Sequence, residues 1–102
     1  MASSSYREHV RDLVELVLFT RPGERVMRPD FGTPIPEVVF ERPTHDVLSN
    51  VQFLVQTSLQ RFMSDLIAVE NIEVRSVENR IEIALSYVLL PMQERVEEVF
   101  TP

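Results

Sequence analysis

The chain has no cysteine, no lysine and no tryptophan, and only two glycines among its 102 residues. Without cysteine there is no disulfide, no thiolate nucleophile and no cysteine-ligated metal. Two glycines nine positions apart cannot form a phosphate-cradling loop, and no nucleophile-elbow sequence surrounds any serine. Nucleotide binding and serine hydrolysis therefore lack their usual residues. His9 and His45 have no further ligands at helical spacing, so neither a metal nor a cofactor is expected. All ten basic residues are arginine, against sixteen acidic ones, for a formal charge of -6. That balance argues against nucleic acid, whose binding rests on neutralising phosphates. No apolar run approaches the ~20 residues needed to cross a bilayer. Met1-Ala2-Ser3-Ser4-Ser5 does not lead from a basic region into an apolar one, so no secretory signal is read and no membrane partner is expected. The chain is expected to be soluble and cytoplasmic when made.

What is present is the composition of one small globular domain, 44% hydrophobic and 25% charged, with a single core spanning 1–102. Residues 1–5 are expected to be flexible. Ser5-Tyr6-Arg7-Glu8 fits a capping box, which predicts a helix starting there. Tyr6, Val10, Leu13, Val14, Val17 and Leu18 give it one apolar stripe, widened near its end by Leu16 and Phe19. Pro22 and Gly23 stop it. Thr33 followed by Pro34 predicts an N-cap opening a short helix or turn through Phe40, closed by Pro43. Thr44 then caps a long helix whose inward stripe runs Val47, Leu48, Val51, Leu54, Val55, Ser58, Leu59, Phe62, Met63 and Leu66. Ile72-Glu73-Val74-Arg75 and residues 81–87 alternate in the period of half-buried strands, with a tight turn at Glu78-Asn79. Residues 92–102 read as either a third strand or a tail. The expected fold class is α+β: helices followed by an antiparallel hairpin or three-stranded sheet packed on them.

Between the first two helical patterns lies the most heavily specified segment, Thr20-Arg21-Pro22-Gly23-Glu24-Arg25-Val26-Met27-Arg28-Pro29-Asp30-Phe31-Gly32. Glycine admits positive φ, proline fixes φ, and arginine offers a planar fork of donors. Such a connection is shaped, and shaped loops concentrate function. Two readings of its carboxylates compete. Glu24 and Asp30 could serve as the paired carboxyl groups of a glycoside hydrolase. Against that, the chain is too short to build a deep sugar cleft beside its own core. The other reading has Glu24 and Asp30 pairing with Arg21, Arg25 or Arg28 to hold the form of the loop. From residue 70 onward there are seven acidic residues and three arginines. Read plainly, this is a solvated sheet face that discourages edge-to-edge aggregation; a docking surface for a basic partner is the alternative.

The order of helix, Arg-Pro-Gly-Glu-Arg, Arg-Pro-Asp-Phe-Gly, short helix, long helix and hairpin resembles the baseplate wedge proteins of contractile phage tails. That family includes the phage protein W and has relatives in type VI secretion and tailocins. The likeness spans about residues 6 to 90, and 21–32 are its most specific part. It implies a structural virion or injection-system component that sits at the inner baseplate and docks on wedge proteins. There it would start the sheath by presenting a sheath-like sheet. Implied partners are the wedge proteins, the sheath subunit and the tube or spike hub, with multiple copies in a sixfold particle. Implied contact residues are Arg21, Glu24, Arg25, Arg28, Asp30, Phe31 and Glu70, with no catalytic residue. The family also carries an old lysozyme label, so a peptidoglycan hydrolase using Glu24 and Asp30 is one alternative. A regulatory adaptor on the same fold is another. Members typically carry Glu-Pro-Arg ahead of the first hairpin strand. This chain has Glu70-Asn71-Ile72 there, which keeps the acid and lacks the proline and arginine.

Overall fold

Eighteen residues of helix begin the chain because nothing in them breaks one. In the computed structural model, which describes residues 2–24 and 30–102, α1 spans Ala2–Phe19. It starts ahead of the expected capping box, so Ser5 lies inside the helix and does not cap it. Val10, Val14, Val17 and Leu18 are buried, and Tyr6, Leu13 and Phe19 pack beside them. Leu16 does not extend that stripe inward. It is 39% exposed, because the helix is covered on one side only.

The expected helix at Thr33 is also corrected. Residues 31–36 carry no helix, and α2 is a single turn, Val38–Glu41, preceded by Glu37 without a side-chain cap. Thr33 is used for long-range contact, as described below. Pro43 and Thr44 behave as read: α3 spans His45–Met63, and the Thr44 hydroxyl accepts the Val47 N–H at 3.3 Å. Val51, Val55, Ser58, Leu59 and Met63 are its buried positions, repeating every three or four residues as one face of a helix must.

Three strands follow: β1, Ile67–Val77; β2, Arg80–Leu89; and β3, Glu94–Phe100. They form an antiparallel sheet in the order β1-β2-β3. The β1–β2 hairpin turns on Glu78 and Asn79, both at positive φ (49° and 65°), the geometry whose twist matches the strands. β1 begins five residues before the alternating pattern, because Ile67 pairs with Leu89 at the far end of β2. Residues 94–100 are settled as a strand by the second edge of β2, with Tyr87 opposite Val96 and Ile83 opposite Phe100.

The sheet has one covered face. Ile81, Ile83, Leu85, Tyr87 and Leu89 of β2 all point into the core, joined by Ile72 and Val74 of β1 and Val96 and Phe100 of β3. α3 packs against β1 and α1 against α3. Arg7 and Arg11, one turn apart on α1, reach Glu94 and Glu98 of β3 at 3.7 and 3.4 Å. Arg11 also lies 5.1 Å above the Phe100 ring. The opposite face, with Glu73, Arg75, Glu82, Arg95, Glu97 and Val99, is covered by none of the described elements, and among the described residues nothing pairs with the outer edges of β1 and β3.

Candidate functional site

The segment after α1 opens with a tight turn. Glu24 N–H donates to the Arg21 carbonyl at 3.1 Å, and the Glu24 carboxylate accepts the Arg21 N–H at 2.6 Å. Pro22 and Gly23 occupy the two central positions, with Gly23 at φ 96°, as a type II turn requires. Glu24 is thus engaged with the Arg21 backbone, whereas the Arg21 guanidinium points to Glu37, 3.2 Å away. Arg25 and Arg28 lie outside the described residues.

Where the segment returns, two consecutive residues meet two consecutive residues of α3. Asp30 pairs with Arg61, and the Phe31 ring stands 4.9 Å from that of Phe62 at an interplanar angle of 54°. Arg61 also lies 5.0 Å over the Phe62 ring. The charged pair is exposed and Phe31 is buried, so burial of the aromatic ring supplies most of the hold. The described partner of Asp30 therefore comes from α3, while the expected pairing with Arg25 or Arg28 falls on residues outside those described. No local signal in the sequence connects residues 31 positions apart.

The next two residues stitch the segment to both helices. Thr33 donates its N–H to the Thr20 carbonyl at 3.0 Å and its hydroxyl to the Val17 carbonyl at 2.9 Å. Ser58 of α3 donates its hydroxyl to the Gly32 carbonyl at 3.3 Å. Val17 O and Thr20 O are among the carbonyls a helix end leaves without intrahelical partners, so Thr33 completes the C-terminus of α1. Gly32 has φ 118°, and a Cβ there would meet the Thr20 oxygen at 2.1 Å. Only glycine permits this approach of two backbones.

Glu70 stands apart from this cluster. It lies within β1, where the register shifts between Val69 and Asn71, and not ahead of the first strand as the sequence pattern suggested. From β3, Arg95 reaches across β2, pairing with Glu70 at 3.0 Å and donating to the Ser86 hydroxyl at 3.1 Å. Further along the same face Arg75 is held by Glu82 at 3.2 Å and Glu73 at 2.9 Å. Those hydrogen bonds, Glu82 first, raise its pKa above the ordinary arginine value. Three of the acids on this face are thereby tied by arginine, and the face is less negative than a count of carboxylates implies.

The seven sequence-derived contact residues thus fall in separate places. Arg21 and Glu24 shape the first turn, Asp30 and Phe31 clasp α3, Glu70 belongs to the sheet, and two are undescribed. Sequence reasoning missed Glu37, Arg61, Phe62 and Arg95. Each completes a contact with a residue distant in the chain.

Among the described residues no group of three or more His, Cys, Asp or Glu is placed to hold a metal ion, and no helix is long and apolar enough to cross a membrane. The depressions of the surface at Gln56 and Ile67, at Leu18 and Phe40, and at Asp12 and Pro102 are lined by neither Glu24 nor Asp30.

Residues 4–93 match the family model described as baseplate wedge protein gp25. Among solved structures, the chain is similar to a Geobacter sulfurreducens protein described as a candidate tail lysozyme. The two are 26% identical, with a TM-score of 0.85 over 95% of this chain and 89% of the other. No curated protein matches the chain.

Proposed function

Because the chain belongs to the baseplate wedge protein gp25 family, a family of structural baseplate components, we propose that it docks on the wedge of a contractile tail or injection system and starts the sheath there. The observation that carries this reading is a sheet with one face packed on helices and the other left open, ending in two strand edges that are unpaired among the described residues. Strand edges present rows of free N–H and C=O groups, and a neighbouring subunit can add a strand in fixed register. The segment clasped to α3 is rigidly tied at Gly32 and Thr33, which suits a contact surface. Arg21, Glu24, Asp30 and Phe31, with Arg25 and Arg28, are proposed to face or position the wedge. Glu70, held by Arg95, is proposed as the contact on the sheet side.

The proposed role is noncatalytic. Glu24 accepts a backbone N–H and Asp30 pairs with Arg61, which are holding roles, and a hydrolase would need both carboxylates free to move protons and face a sugar. The lysozyme description of the similar structure gives the competing reading its test. Purified protein should not clear a peptidoglycan suspension; clearing that disappears in Glu24→Gln would establish the hydrolase. For the leading reading, particles made without this chain should carry baseplates but no extended sheath by electron microscopy. Normal sheaths on such particles would refute it.

A further inference from the structure

The two outer edges of the sheet are not equivalent. β1 carries a register shift between Val69 and Asn71, and the Glu70 side chain at that point is held by Arg95 of β3. A bulge of this kind breaks the even row of main-chain groups that an added strand needs. β3 has no such break: every residue from Glu94 to Phe100 is in register with β2. α1 runs along β3, with Arg7 and Arg11 reaching Glu94 and Glu98. Just past those arginines, on the flank away from the buried Val10, Val14 and Val17, the helix presents Glu8, Asp12 and Glu15. None of these three forms an ion pair among the described residues. Asp12 and Glu15, with Leu16 and Phe19, line a depression of about 430 Å³ together with Thr101 and Pro102, which continue β3.

We propose that strand addition takes place on the outer edge of β3, and that the incoming segment is an extended arm of a neighbouring subunit with basic and apolar side chains on the side turned toward α1. The inference rests on the strand-addition reading above and names the edge and the chemistry of the arm. An extended segment is the occupant because this edge offers main-chain N–H and C=O groups at strand spacing. Alternate side chains of the arm then lie under the flank of α1. There a basic group meets Glu8, Asp12 or Glu15, and an apolar one enters the depression beside Leu16 and Phe19. The same carboxylates reject an acidic arm. They also disfavour β3 of a second copy, which brings Glu94, Glu97 and Glu98 against a single arginine, since like charges set opposite each other destabilise a strand pair.

The test replaces Glu97 of β3, or separately Glu73 of β1, with the photo-crosslinker p-benzoylphenylalanine in the particle-forming host; both side chains are exposed on the open face. Assembled particles should give an adduct to another subunit from position 97 and none from position 73, and the adducted peptide should combine basic with apolar residues. Asp12→Arg together with Glu15→Arg should leave the thermal midpoint almost unchanged, since neither carboxylate is paired among the described residues. The same double change should lower the adduct from position 97 at least about tenfold, by repelling the arm. An adduct from position 73 alone, an adduct to a second copy of this chain, or an adduct from position 97 that survives the charge reversal would each overturn the proposal. Adducts from neither position in particles with complete sheaths would defeat the strand-addition reading itself, a separate outcome.

Discussion

Replacing Gly32 with alanine should be among the most damaging single-methyl changes in this protein, and the same change at Gly23 should be mild. Both glycines have positive φ, 118° and 96°, so each substitution incurs the backbone penalty of a non-glycine residue there, on the order of 1–3 kcal/mol. They differ in what the new methyl meets. At Gly23 nothing lies within 4 Å, whereas at Gly32 the Cβ would lie 2.1 Å from the Thr20 oxygen and 2.8 Å from its carbon. The segment cannot simply move away. Thr20 O holds the Thr33 N–H, Val17 O holds the Thr33 hydroxyl, and Ser58 holds the Gly32 carbonyl. Relief of the clash breaks at least one of these bonds, about 1 kcal/mol or more each, and draws Phe31 away from Phe62. We expect roughly 4 kcal/mol or more for Gly32→Ala and roughly 1–2 kcal/mol for Gly23→Ala. At about 4–8 °C per kcal/mol in a domain of this size, the fall in Tm for Gly32→Ala is at least twice that for Gly23→Ala. Thermal unfolding by circular dichroism, with urea titration as a second measure, distinguishes them. Equal losses at the two positions would refute the argument that the approach of 32 to 20 fixes the segment.

The remaining predictions concern the core, one cap and the clasp. Tyr87 is fully buried, and among the described residues its hydroxyl has no hydrogen-bond partner. Burial, helped by the charge of Glu98, pushes its pKa up to about 12. The raised value means that the folded state disfavours the phenolate. Its contribution is fully present below the ordinary value near 10 and is lost as pH rises from about 10 to about 12. Tyr87→Phe should therefore raise stability by about 1 kcal/mol at neutral pH and flatten the alkaline limb of a pH-stability profile; a destabilised variant would show that the hydroxyl is satisfied. Thr44→Ala removes the N-cap of α3 and should cost about 1 kcal/mol by urea titration, an effect absent from Thr44→Ser. Asp30→Ala breaks an exposed ion pair and should cost less than about 1 kcal/mol, while Phe31→Ala should cost about 3 kcal/mol. If Asp30 is a wedge contact, its loss should lower baseplate occupancy despite that small effect, and unchanged occupancy would remove it from the interface.

Local chemistry was legible wherever neighbours in the chain decide the outcome. The Thr44 cap, the apolar stripe of α3, the turn at Glu78 and Asn79 and the alternation of β2 each need only a few consecutive residues, and each stands as read. The family was legible for a related reason, because the run from Arg21 to Gly32 combines residue types that a shaped connection demands. Tertiary structure decided the rest. Ser5 was overridden because the helix continues through residues able to be helical on either side of it. Thr33 has the side chain of a cap, but the open end of α1 lay within reach of its hydroxyl and took it. β1 was lengthened by its partner, and β3 exists as a strand because β2 had a second edge to offer. The partners of Asp30 and Glu70, Arg61 and Arg95, lie on other elements, and only the folded chain brings them together. The charge-free run from Val47 to Gln60 in α3 shows both halves of the division. Its lack of charge can be counted in the sequence, but only the packing of α3 on β1 and α1 reveals that Phe53 is left pointing outward.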